Sequence, residues 1–216
     1  MTAILNTIDG LMERHVAGTL PLPLDVMAQA HLELKTDNRA YVDGLMTIGG
    51  QSLCDIDPVN VSADEEMLSR IWSSEDVVSA PQPVARSKPE AEPWMPKAIR
   101  SFVGTDTVQW RTKMPGFREY TMDDVDGCEI SLFWIKAGRA IPTHTHEGSE
   151  LTLVLDGGFS DGIGHYVRGD ISIADNSVDH RPVADDDGPC IGFAVTTDAL
   201  RLTGSWSDRL RDIIGR

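Results

Sequence analysis

The sequence predicts a two-domain protein, a small all-α helical domain followed by an all-β barrel. Three observations predict it. Up to residue 77 apolar side chains recur at helical spacing, and from Trp110 onward they alternate at strand spacing. Between these stretches lies a proline-rich segment of different composition. The expected boundaries are a helical domain over 1–77, a connector over 78–97 and a barrel over 98–216.

Four short helices are expected in the first part. Ile4, Leu5, Ile8, Leu11, Met12 and Val16 form one stripe, ended by Gly18. Pro21 and Pro23 mark the start of a second helix, with Leu24, Met27, Ala28, His31 and Leu34 near one face. Thr36 is a candidate cap for a third, running through Arg39, Tyr41, Val42, Leu45 and Met46 to the Gly49–Gly50 pair. The run from Ser62 to Glu65 has a capping-box pattern ahead of Met67, Leu68, Ile71 and Trp72. So few short helices bury only a modest core, and a metal or a partner is expected to support them.

Five prolines in 78–97 make that stretch an extended, semi-rigid connector. Strands are expected over 117–122, 129–135, 151–155, 171–174 and 190–195, separated by Gly, Pro and Asp turns. A last amphipathic segment, 207–214, has the pattern of a terminal helix.

Composition narrows the function classes. No apolar run approaches the roughly 18–20 residues of a membrane span. The first residues have no basic, apolar leader pattern, and Cys54, Cys128 and Cys190 show no CxxC spacing, so a reducing cytoplasm is expected. The net charge is −15. Residues 1–76 hold four Lys or Arg against thirteen Asp or Glu, a net of −9. Such a surface repels phosphate backbones and anionic lipid, which argues against direct nucleic-acid or membrane binding. It would attract a basic protein surface, or serve solubility alone.

The most informative motif is Gly138-x5-His144-x-His146-x3-Glu150-x6-Gly157. Alternate residues of a strand share a face, so His144 and His146 project together. Glu150 falls on the next strand, and His180 follows the turn at 168–170 as a fourth candidate ligand. Three imidazoles and a carboxylate suit a divalent metal. Zinc or iron leads by ligand softness, with manganese, nickel or copper behind. A tetrahedral zinc with four protein ligands would be a closed, structural or sensing site. Iron with open positions would permit oxygen chemistry.

This stretch resembles the first signature of the cupin superfamily, small double-stranded β-helix barrels with a metal in the mouth. Gly169-Asp170 with His180 resembles the second. Over nearly its full length the chain is similar to the ChrR family of anti-sigma factors. The likeness is carried by 16–20 and 28–34 in the helical part, and by 108–111, 150–155, 169–175 and 180–183 in the barrel. The resemblance implies that the helical domain clasps an extracytoplasmic-function sigma factor. It also implies that the barrel responds to oxidative stress and brings about release.

One departure stands out. The family's helical domain usually binds zinc through an early His and a His-x3-Cys-x2-Cys motif. Here His31 remains, Lys35 and Asn38 occupy the Cys positions, and Asn6 occupies the early His position. An ammonium has no lone pair to give, and an amide is a weak zinc ligand. No zinc is therefore expected there, and His31 is expected to be a packed or hydrogen-bonded residue. Hydrogen bonds among Asn6, His31, Lys35 and Asn38, or a homodimer, would have to stabilise the helices instead. His15 is expected to be solvated.

Four further residues are candidates for roles near the barrel site. Cys190 is either an oxidant-sensitive thiol near the metal or a buried apolar filler. His165 is a weaker rival to His180. Asp175 and Asp179 are candidates to orient the imidazoles. Taken together, the sequence favours a cytoplasmic anti-sigma factor over a metal-dependent cupin enzyme of dioxygenase type, with a ligand-binding cupin as a third alternative.

Overall fold

The computed structural model describes residues 7–59, 65–73, 92–197, 200–203, 205, 207 and 212. Asn6, Ser62, the connector up to residue 91 and most of the expected terminal helix lie outside them.

Helix α1 (Ile8–Val16) starts where Thr7 accepts a hydrogen bond from the Gly10 amide at 3.0 Å. Helix α2 (Leu22–Leu34) has proline in its first turn. Helix α3 spans Arg39–Cys54 and α4 spans Glu65–Ser73. A fifth helix, α5 (Lys97–Val103), follows the connector. Its first amides, Lys97 and Ala98, donate to the Glu33 carboxylate of α2 at 2.8 and 2.9 Å. A carboxylate at a helix N-terminus satisfies orphan donors and opposes the helix dipole.

Two local expectations change. Helix α3 has Asn38 rather than Thr36 at its N-cap position and runs through Gly49–Gly50 to Cys54. Each glycine costs a helix about 1 kcal/mol relative to alanine, a penalty and not a stop. His15 is also not solvated. Its Nδ1 lies 2.7 Å from Asp25 Oδ1, tying α1 to α2.

Among the described residues eleven strands form three antiparallel sheets. The largest contains β1 (Arg111–Met114), β2 (Phe117–Thr121), β3 (Glu129–Ile135), β5 (Glu150–Asp156), β8 (Ile171–Ala174) and β10 (Cys190–Thr196), in the order β1-β2-β3-β10-β5-β8. Opposite it, β6 (Gly158–Ser160) lies between β7 (His165–Val167) and β9 (Val183–Ala184). Strand β4 (His144–His146) pairs with β11 (Leu200–Leu202).

Strand alternation decides what each face of the large sheet meets. Ile130, Leu132, Leu151, Leu153, Leu155, Phe193 and Val195 point outward, into one apolar cluster with Leu11, Met12, Leu24, Met27 and Ile99 of the helices. Phe133, Ile135, Val154, Cys190 and Ala194 point inward and meet Phe159 and Ala184 of the opposite sheet. Trp94 and Met95, just before α5, are buried in the outer cluster. Helices α1, α2 and α5 therefore roof the outside of the sheet, leaving its inner face free to enclose a site.

Helices α3 and α4 differ. Val42 is the one described buried residue of α3, and none of α4 is buried. Ile48, Leu53 and Trp72 are 63, 70 and 85 % exposed. The modest core expected of the four helices is built mainly by α1 and α2, with Val42 of α3 added and the large sheet sharing it.

Candidate metal centre

Strand β4 places His144 and His146 on one face, and Glu150 opens β5 a few residues later. His180 arrives through a short antiparallel bridge in which His144 and His180 exchange both backbone hydrogen bonds at 3.0 Å. The four predicted residues are thereby brought together, and one ligand atom from each lies within 4.8 Å of the others. All three histidines are buried.

The ring nitrogens are oriented. His144 Nδ1 faces the Pro142 carbonyl at 2.8 Å, and His180 Nδ1 faces Asp161 Oδ2 at 3.1 Å. A carbonyl and a carboxylate only accept, so both Nδ1 atoms carry the proton in the neutral rings, and both Nε2 atoms present lone pairs. Those lone pairs face one another at 3.0 Å. His146 Nε2 lies 3.4 Å from His180 Nε2 and 3.2 Å from Glu150 Oε2, and His180 Nε2 lies 3.7 Å from that oxygen.

Converging lone pairs repel unless a cation sits among them. Ligands about 2.0–2.1 Å from a tetrahedral zinc lie about 3.3–3.4 Å apart, a spacing that the four observed separations bracket. The residues thus fit a divalent metal, and the group can hold one.

Charge follows the same logic. Burial pulls His144 below its ordinary pKa and keeps the ring neutral. For Glu150 burial alone would raise the carboxyl. The hydrogen bond with His146, joined by coulombic attraction to the neighbouring imidazoles as they protonate, outweighs it and holds the group below the usual carboxylate range.

Asp161 is the residue that the sequence did not single out. Its side chain is fully buried. Oδ1 accepts from the Ile163 and Gly164 amides at 2.8 and 2.9 Å, which aims Oδ2 at His180. Asp175 and Asp179 do not orient the imidazoles. Asp175 caps the turn at Ser177, and Asp179 bonds Thr203. His165 is exposed, sits 2.9 Å from Asp185 and stands apart from the cluster. Cys190 belongs to the inner apolar cluster, and burial pushes its thiol up to about 12. That is the apolar filler.

A cavity of about 180 Å³ adjoins His144, Glu150 and His180. Phe117, Phe133 and Phe159 form its apolar wall. Ser131, Ala194, Thr152 and Ser172 occupy one cross-strand row through β3, β10, β5 and β8, giving the cavity a hydroxyl-bearing floor. Gly192 makes room for the Phe133 ring, which a Cβ there would strike.

His31 is buried on α2, away from this centre. Its Nδ1 lies 2.7 Å from the Gly169 carbonyl and its Nε2 lies 3.0 Å from Asn38 Oδ1. Lys35 forms an ion pair with Asp170. His31 is hydrogen-bonded, as expected. Lys35, however, turns to the barrel and not to His31.

Comparison with known proteins agrees with this architecture. The profile of the ChrR cupin-like domain matches residues 99–199. The chain is 34 % identical over 205 residues to the anti-sigma-E factor ChrR of Cereibacter sphaeroides, covering 94 % of this chain and 93 % of that protein. It also resembles a crystal structure of Rhodobacter sphaeroides SigE in complex with the anti-sigma ChrR. The TM-score is 0.72 at 32 % identity, over 88 % of this chain and 97 % of that one. A helical unit roofing a barrel, matched along almost its whole length, places this chain in the ChrR family of cupin-containing anti-sigma factors.

Proposed function

We propose that the chain sequesters a sigma factor of the extracytoplasmic-function type in the cytoplasm, through its acidic helical domain over residues 1–77. The observation that carries this reading is the exposed apolar surface of α3 and α4. Met46, Ile48 and Leu53 on α3, with Leu68 and Trp72 on α4, face solvent. Large apolar side chains left exposed on two helices suit a protein-binding surface. The net charge of −9 over residues 1–76 suits a basic, DNA-facing partner. ChrR, similar over nearly the whole chain, is an anti-sigma factor and has been crystallised with SigE. In this reading the barrel metal, zinc first by its ligand set, serves as a sensor of oxidative stress, and the protein regulates transcription through protein contact.

Co-expression with the sigma factors of the same genome tests the proposal. A stable 1:1 complex is expected, weakened about 30-fold or more by Leu53→Asp or Trp72→Asp, the scale of interface hot spots. Failure of every sigma factor to bind would overturn it.

The cavity beside the metal ligands favours a second reading, a dioxygenase-like cupin. A bound metal with an open coordination position would supply Lewis-acid or redox chemistry there. Stoichiometric zinc without oxygen uptake would dismiss that alternative.

A further inference from the structure

Two side chains at the end of α2 reach one turn of the barrel, and a third, Asn38, braces the first of them. His31 reaches the Gly169 carbonyl, Lys35 pairs with Asp170, and Asn38 holds the other nitrogen of His31. The approach is close. Gly169 has φ +89°, and a Cβ there would meet Lys35 Cγ at 2.7 Å. On the barrel side, Asp170 Oδ2 also accepts the Val167 amide at 2.9 Å, so the same carboxylate shapes the turn and receives the lysine.

This turn is joined to the metal ligands. The Gly169 amide donates to Val154 O at 2.8 Å, and the Val154 amide donates to Asp170 O at 2.9 Å. From the turn the chain enters β8, which pairs with β5 so that Ile171 faces Leu153 and Ala174 faces Glu150. Strand rise places the two ends of β8 about 10 Å apart, and His180 follows six residues beyond Ala174. One short strand thus carries the helix contact at one end and adjoins two candidate ligands at the other. Along the same path, Ser172 faces the cavity.

We propose that His31, Lys35 and Asn38 form a metal-free clamp through which loading of the barrel site controls how firmly the end of α2 and the start of α3 are held. The proposal rests on the barrel holding a metal, and it is independent of whether the helices bind a sigma factor. Fixing Glu150 and His180 on an ion restrains β5 and β8. A restrained β8 holds the Gly169–Asp170 turn in the position that His31 and Lys35 grip. The root of α3, whose outer face is exposed, is thereby steadied from inside the barrel.

Hydrogen exchange on the full chain, stripped with a chelator and then reloaded with zinc, tests this. In the wild type, zinc is expected to slow exchange over 144–180 and, by about five-fold, over 32–42, the scale of one to two modest polar contacts. In His31→Leu/Lys35→Met, zinc should still be taken up and still protect 144–180, while the effect on 32–42 disappears. Asp170→Asn keeps the acceptor for Val167 and loses the ion pair. It is expected to lose at least half of the effect, and it decides the matter if the double variant fails to fold. Equal zinc protection of 32–42 in wild type and variants overturns the clamp, as does protection of the barrel alone in the wild type. No zinc protection at 144–180 in the wild type overturns the metal site itself, and the clamp's control with it.

Discussion

His144 and His180 point the lone pairs of their Nε2 atoms at each other across 3.0 Å, while each ring's other nitrogen is committed to an acceptor. A buried arrangement of this kind is costly without a cation between the rings. Metal removal should therefore destabilise the fold. With zinc at about a thousand times its dissociation constant, binding contributes about 4 kcal/mol. For a chain of this size that corresponds to a melting temperature higher by about 8–16 °C. Calorimetry of chelator-treated and zinc-reloaded protein checks it, and coincident transitions would count against the site.

Asp161 orients His180 without facing the metal position. Asp161→Asn keeps an oxygen for the Ile163 and Gly164 amides and weakens the acceptor for the imidazole. Metal affinity is expected to fall about 10- to 100-fold, the usual consequence of losing such a support. Competition with a chromogenic chelator measures it. Unchanged affinity would mean that the carboxylate serves the turn alone.

Acid should destabilise the metal-free protein in a defined order. The folded state holds His144 neutral below its ordinary pKa, so from about pH 6.5 downward the unfolded chain binds the proton first. Stability from this group is complete above about pH 6.5 and is lost as pH falls through the folded value. The depressed Glu150 acts with the same sign at lower pH, from about 4.3 downward. Denaturant titrations at pH 8, 6 and 5 should show the decline, and His144→Gln should flatten its upper part.

Thiol chemistry separates the cysteines. Cys54 is exposed on α3, whereas Cys128 and Cys190 are buried, with burial raising both thiols, Cys190 to about 12. A thiol-specific reagent should modify one cysteine in the native protein and all three of the chain's cysteines in denaturant. Rapid native modification of Cys190 would revive it as an oxidant sensor.

Much of the barrel was legible because its strands alternate strongly. The expected strands at 129–135, 151–155, 171–174 and 190–195 coincide with β3, β5, β8 and β10 to within a residue. Two histidines and a glutamate at fixed spacing likewise announced their shared face. Asp161 was not legible, because its role depends on a turn that folds back toward His180, and it stands in a chain with many carboxylates. The roofing helices were half legible. Leu151, Leu153 and Leu155 occupy one face of β5 with Thr152 and Val154 on the other, so a strand this apolar on both sides signals a second cover. Nothing in the periodicity of α3 and α4 distinguished a face that packs within the chain from one left exposed.

The leucine-rich outer face of the large sheet has a further consequence. Burying Leu132, Leu151, Leu153, Leu155 and Phe193 beneath the helices contributes on the order of 10 kcal/mol. A barrel cut free at residue 98 would wet that ridge and lose the cover of α1 and α2, so such a fragment is expected to aggregate or to bind hydrophobic dyes. The helical roof and the barrel are therefore expected to fold and unfold as one unit, although the sequence divides them into two.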